Sequence, residues 1–185
     1  MLKINNLSFS YGEKEVLRDF SMEMKKGERI CLFGQSGCGK TTLLRLVMGL
    51  EKPKSGKLSC KAQGIAPVFQ EDRLIESYTV LQNINFGCKR DGMEILKAVG
   101  LEDLAQSYPA QLSGGQKRRV ALARALNFDS ELLILDEAFN GLDAQTAEFC
   151  IEAIERFAGN RAILMVSHNR AYAQKLNATI LQMHV

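Results

Sequence analysis

Ile30-Cys31-Leu32-Phe33-Gly34-Gln35-Ser36-Gly37-Cys38-Gly39-Lys40-Thr41-Thr42 is the stretch on which the fold turns. Four apolar residues fit a short buried strand, and a glycine-rich turn carries it into the helical pattern Lys40–Leu50. A glycine, four residues, then glycine-lysine-threonine between a strand and a helix is the spacing of a phosphate loop. Glycines let the chain fold tightly enough for successive N–H groups to face phosphate oxygens, and the helix start adds partial positive charge. Lys40 would reach the β- and γ-phosphates, and Thr41 or Thr42 would offer a hydroxyl to Mg²⁺. A chance match in a Gly/Ser-rich turn is the competing reading, and the strand-before, helix-after context weighs against it.

On the N-terminal side, Leu2–Phe9 alternates as a strand, and Tyr11-Gly12-Glu13-Lys14 turns it into a second strand, Val16–Met24. On the C-terminal side, Lys57–Cys60 and Ile65–Phe69 read as short strands, and 79–126 reads as helical with breaks near Gly87, Gly100 and Pro109. Leu132–Leu135 and Arg161–Val166 are buried strands flanking an amphipathic helix, Ala144–Phe157; a helix, Asn169–Leu176, and a strand, Ala178–Met183, close the chain. Apolar strands alternating with helices predict an α/β fold: a mostly parallel sheet covered on both faces, with an antiparallel β annex and a small helical subdomain. One domain is expected, with 1–69 and 127–185 as the core and annex and 70–126 as the helical part.

A length of 185 residues suits one domain. With 24 basic against 21 acidic residues, the net charge of +3 gives no argument for nucleic acid as a partner. Five scattered cysteines lack metal-ligand spacing and read as reduced residues of a cytosolic protein. Met1–Asn6 lacks the apolar stretch of a signal peptide, and no run approaches the roughly 18–20 apolar residues of a membrane span.

Asp136-Glu137 follows the apolar strand, at the edge where open α/β sheets bind ligands. Asp136 would hold Mg²⁺, largely through water, and Glu137 would orient or deprotonate an attacking water. Alone, the pair reads as two solvated carboxylates. Gln70 and His168 also end strands on that edge, where an amide can touch the metal or the water and an imidazole the γ-phosphate; standing alone, each reads as a surface or structural residue. Tyr11 by itself reads as core or hairpin packing. Leu112-Ser113-Gly114-Gly115-Gln116 opens another helix, Gln116–Leu126, so Ser113 and the Gly114 and Gly115 amides form a second anion cradle that one nucleotide does not need. Lys117, Arg118 and Arg119 most simply form a solvated basic face.

Taken together and in order, these segments resemble the ABC-type ATPases, the nucleotide-binding subunits of ATP-binding cassette systems. The resemblance covers nearly the whole chain. It implies that Tyr11 stacks on adenine and that Gly34–Thr42 is the Walker A loop. Gln70 falls at the Q-loop, Leu112–Gln116 at the signature, Leu132–Asp136 at Walker B with Glu137 its catalytic glutamate, Asn140–Asp143 at the D-loop, and His168 at the switch histidine. Asp143 thereby joins the expected nucleotide-site residues. It further implies two domains paired head to tail, each ATP held by one Walker A and the other chain's signature. Val68–Leu74 and Tyr108–Gln111 are most similar to ATPase subunits of bacterial importers, in the nitrate, sulfonate and taurine group.

Departures from the pattern are Ala138 for a proline, Asn140-Gly141 for a small pair, and Asn169 for an aspartate; the first two are expected to loosen the D-loop. The stretch before Gln70 and the helical region are short, and an end soon after His168 fits a minimal motor without a regulatory tail. The expectation is an ATPase binding Mg·ATP, dimeric around two nucleotides and peripheral on the inner face of the membrane. Its partners would be permease subunits and a solute-binding protein. A cassette coupled to force transmission rather than transport is the second reading. Chromosome-maintenance types would carry a heptad insertion or zinc cysteines, and translation-factor types two cassettes.

Overall fold

The computed structural model describes residues 1–88 and 90–183. Strands β1 (Leu2–Tyr11) and β2 (Lys14–Met24) pair as an antiparallel hairpin through a tight turn at Gly12-Glu13. Strand β3 (Arg29–Phe33) feeds the phosphate loop and helix α1 (Lys40–Val47). Strand β4 (Ser55–Cys60) returns to pair with β1, giving a three-stranded antiparallel sheet in the order β2-β1-β4. Strand β5 (Ile65–Val68) precedes three helices, α2 (Val80–Asn85), α3 (Met93–Ala98) and α4 (Gly114–Asn127). Strand β6 (Leu132–Asp136), helix α5 (Ala144–Phe157), strand β7 (Ala162–Val166), helix α6 (Arg170–Lys175) and strand β8 (Thr179–Gln182) follow. The expected α/β fold is thus found: β5-β6-β7-β3-β8 form one all-parallel sheet.

Period-two alternation sends each strand's side chains to two different cores. Leu132 and Ile134 of β6, with Ala162, Leu164 and Val166 of β7, pack toward α1 and the antiparallel sheet. Leu133, Leu135, Ile163 and Met165 face α2–α6 on the other side. Both faces are covered, so β6 and β7 are buried throughout. Truncating any one of these leucines to alanine would cost on the order of 2–5 kcal/mol. That rigid sheet holds the C-terminal ends of β3, β6 and β7 side by side.

Candidate active site

A cavity of about 340 Å³ lies over those strand ends, lined among others by Tyr11, Ser36, Gly37, Lys40, Gln70, Glu137 and His168. Its floor is the phosphate loop. Gly37 and Gly39 take φ of +84° and +91°, which only glycine adopts freely. Lys40 is buried, and its ammonium donates to Gly34 O and Gln35 O, each at 2.8 Å, so the lysine arches back over the loop. Amides in the first turn of α1 have no intrahelical acceptor and start at the same loop. Thr41 and Thr42 both line the cavity.

Behind the loop, Thr41 Oγ1 donates to Asp136 Oδ1 at 3.3 Å. Burial raises the Asp136 carboxyl above the ordinary carboxylate range; the Thr41 hydroxyl, Lys40 and Arg118 pull the other way. A hydroxyl beside a carboxylate is the oxygen pair that a hard cation such as Mg²⁺ takes, so these residues fit it. Glu137 follows the end of β6 in the left-handed region, φ +51°, with its N–H donated to Val166 O at 3.1 Å. That kink turns the half-buried carboxylate into the cavity. Its Oε1 lies 3.1 Å from His168 Nε2 without the alignment of a hydrogen bond and stands as a buried oxygen with no hydrogen-bond partner. Burial raises the Glu137 carboxyl as well, with His168 opposing and Asp136 adding to the rise. Glu137 and His168 thus line the cavity side by side.

Tyr11 is half exposed rather than core, its ring edge-on to Phe9 at 4.8 Å, leaving a face to the cavity mouth. Lys14 and Val16 also line the mouth, and sequence reasoning passed over them. The signal was available, since the hairpin register sets Lys14 opposite Tyr11.

Ser113, Gly114, Gly115, Gln116 and Asp143 do not line this cavity. Ser113 caps α4, accepting from Gln116 N at 3.3 Å, while the Gln116 side chain accepts from Ser113 N at 2.8 Å. The helix therefore begins at Gly114, two residues earlier than expected. Asp143 caps α5 by its carboxylate alone, accepting from Thr146 N at 2.9 Å and from the Thr146 hydroxyl at 2.7 Å. Between Glu137 and α5, Asn140 N donates to Glu137 O and Leu142 N to Phe139 O, with Ala138 and Phe139 buried. Lys117, Arg118 and Arg119 do not form the solvated basic face expected of them. Arg118 is buried and donates to Phe69 O and Gln70 O, and Arg119 donates to Val99 O and Gly100 O. Turn carbonyls packed against α4 need donors, and these guanidinium groups are the ones within reach.

The ABC transporter family profile matches residues 17–140. The aliphatic sulfonates import ATP-binding protein SsuB 3 of Pseudomonas syringae pv. tomato is 41% identical over 184 residues, covering 91% of this chain and 67% of that one. The sulfate/thiosulfate import ATP-binding protein CysA of Photorhabdus laumondii is 42% identical over 168 residues, 78% of this chain and 46% of its own. A bacterial ABC transporter cassette solved as a dimer superposes with a TM-score of 0.86 at 27% identity, covering 98% of this chain and 94% of that chain. A dimeric post-hydrolysis cassette bound to ADP and Pi superposes with a TM-score of 0.85, also at 27% identity, covering 99% and 94%. With its phosphate loop, acidic strand end and histidine gathered on one sheet edge, the chain belongs to the ABC transporter family, as an ATP-binding cassette that hydrolyses ATP.

Proposed function

We propose that this cassette powers solute import by a separate membrane permease, pairing head to tail with a second copy around two ATP molecules. The observation that carries the reading is a mismatch within one chain. The phosphate loop, Glu137 and His168 share a cavity, whereas the equally anion-ready turn at Ser113–Gln116 opens elsewhere on the surface. A second copy brings the missing half. Import is supported by the sulfonate and sulfate import functions of the relatives, and pairing by the dimeric cassettes.

In this arrangement Tyr11 stacks on the base, and the loop amides from Gly34 to Thr42 with Lys40 hold the phosphates. Thr41, Asp136 and Gln70 hold Mg²⁺, which when bound neutralises charge on the transferring phosphoryl group. Glu137 accepts a hydrogen bond from the attacking water and aligns it. His168, exposed at the rim, contacts the γ-phosphate and steadies Glu137. Ser113 and the Gly114 and Gly115 amides of the partner copy close over the phosphates, with Gln116 bracing that turn and Asp143 at the seam. Closure is a population shift, because these contacts exist only in the paired state. Residues 70–126 then form the helical subdomain on which the permease rests, the remainder forming the catalytic core. Among the described residues no helix is long and apolar enough to cross a membrane. The cassette sits peripherally on the inner face, its permease receiving solute from a binding protein.

Mixing two inactive variants tests the pairing. Lys40→Ala and Ser113→Arg chains should each be inactive alone, and a one-to-one mixture should regain activity, since each heterodimer keeps one intact composite site. No recovery in the mixture would sink head-to-tail pairing.

A further inference from the structure

After β5 the chain leaves the sheet, and the carbonyls of an irregular turn need donors. Helix α4 supplies them. Arg118 Nη1 donates to Phe69 O at 2.5 Å, its Nη2 donates to Gln70 O, and its Nε lies 3.2 Å from Asp72 Oδ1. Six residues further along, Arg124 donates to Arg73 O at 3.0 Å and to Asp72 O at 3.2 Å. Two side chains of one helix thus hold the carbonyls of Phe69, Gln70, Asp72 and Arg73. The loop also closes on itself: Arg73 takes φ +46° and sets its guanidinium 4.1 Å from the Phe69 ring centre. In the middle, Gln70 lines the cavity that also holds the phosphate loop.

We propose that Arg118 is a positioning residue. It fixes the backbone of Gln70, so that the Gln70 amide enters its own chain's cavity in a register set by the helix that begins at Gly114. The proposal rests on the function proposed above, in which Gln70 touches Mg²⁺ or the attacking water. Bonds from a charged donor are stronger than neutral ones, and a planar guanidinium satisfies two carbonyls at once where a lysine offers a single point charge. Asp72 completes the strap. Burial lifts its carboxyl above the ordinary range, and Arg118 leads the cations that hold it down. A rotation of α4 therefore carries Gln70 with it. The half-site lent to a partner copy and the Gln70 approach to the chain's own nucleotide move as one body.

A mutant cycle in the full chain tests this, reading steady-state ATP hydrolysis and nucleotide affinity for Arg118→Met, Arg118→Lys, Gln70→Ala and the double variant Arg118→Met with Gln70→Ala. Arg118→Met should lower kcat on the order of tenfold with KM within about twofold, since misplacing a contact group costs rate more than ground-state binding. Arg118→Lys should recover only part of that loss. The double variant should be no slower than Gln70→Ala, because Arg118 acts through Gln70. Losses that multiply in the double variant, or an unchanged kcat in Arg118→Met, would overturn the proposal while leaving the Gln70 role standing. An unimpaired Gln70→Ala would overturn both. Should Arg118→Met fail to fold by thermal melting, Arg118→Lys paired with Gln70→Ala completes the same cycle, and multiplying losses there overturn the proposal equally.

Discussion

The two glycine-rich turns that open helices in this chain, Gly34–Thr41 and Leu112–Gln116, are built in opposite ways. The first is sunk into the protein. A Cβ added at Gly34 would lie 2.6 Å from Met183 O, and one at Gly39 would lie 2.7 Å from Leu17 Cδ2 and 2.9 Å from Val16 O. The second stands clear: a Cβ at Gly114 meets nothing within 4 Å, and at Gly115 only Leu142 Cδ2 at 3.4 Å. Glycine at 34 and 39 is demanded by the chain's own packing, and at 37, where a Cβ would meet nothing within 4 Å, by its φ of +84°. Glycine in the second leaves room that nothing in the same chain fills, which suits a surface completed from outside.

The largest effect should separate chemistry from binding at the first turn. Glu137→Gln keeps the shape and hydrogen-bonding reach of the side chain but removes the carboxylate proposed to align the water. Steady-state hydrolysis should fall by roughly 10²–10⁴ while ATP still binds, a split read by turnover assay beside equilibrium nucleotide binding. Near-normal turnover would break the assignment of Glu137 and, with it, the claim that the sunken turn is where reaction occurs.

A paired substitution comes next in size and addresses the comparison directly. Gly39→Ala forces a side chain into φ +91° and against Val16 and Leu17. Strain and overpacking together should cost about 2–4 kcal/mol, visible as a melting temperature lower by several degrees in the nucleotide-free protein. Gly114→Ala sits in the first turn of α4 with open space and should leave that temperature unchanged or slightly raised. Its cost should appear only as weaker ATP-driven dimerisation, measured by ultracentrifugation in the Glu137→Gln background. Equal destabilisation by the two would erase the distinction between a finished turn and a lent one.

Both turns are legible in the sequence because each is a local pattern, a few residues whose backbone needs are met by their neighbours. The acidic strand end is legible for the same reason, since four apolar residues locate β6 and its last position. What escapes depends on distant partners. Arg118 is separated by 49 residues from the Phe69 carbonyl it meets, so three successive cations carry no sign that one is buried. The left-handed residue Glu137 donates its N–H to Val166 O, which lies on β7, 29 residues away in sequence. Tyr11 misleads when read in isolation, because its ring packs on Phe9 along one strand while its other face belongs to the cavity.

The smallest effect contrasts the carboxylates attached to the two turns. Asp136 is 5% exposed, and burial raises its carboxyl despite Thr41, Lys40 and Arg118. A raised folded value means the native chain binds a proton that the unfolded chain has released, so this group's stabilising contribution is present below the ordinary range near ~3.9. It drains away as pH rises through the raised value. Asp136→Asn removes that loss. The nucleotide-free variant should therefore melt higher than the parent at neutral pH, by about 2–4 °C for each kcal/mol recovered, with the gap narrowing as pH falls toward the ordinary carboxylate range. Asp143, exposed beside the second turn, carries the reverse sign. The Thr146 backbone and hydroxyl donors hold it below its usual value, so its contribution is present above the ordinary range and lost as pH falls through the depressed one. Asp143→Ala should accordingly narrow its deficit in acid, where Asp136→Asn narrows its advantage. A pH-independent gap at Asp136 would mean that the carboxylate is solvated in the native state. The contrast between a buried site and an exposed half-site would then fail at the residue where it should be sharpest.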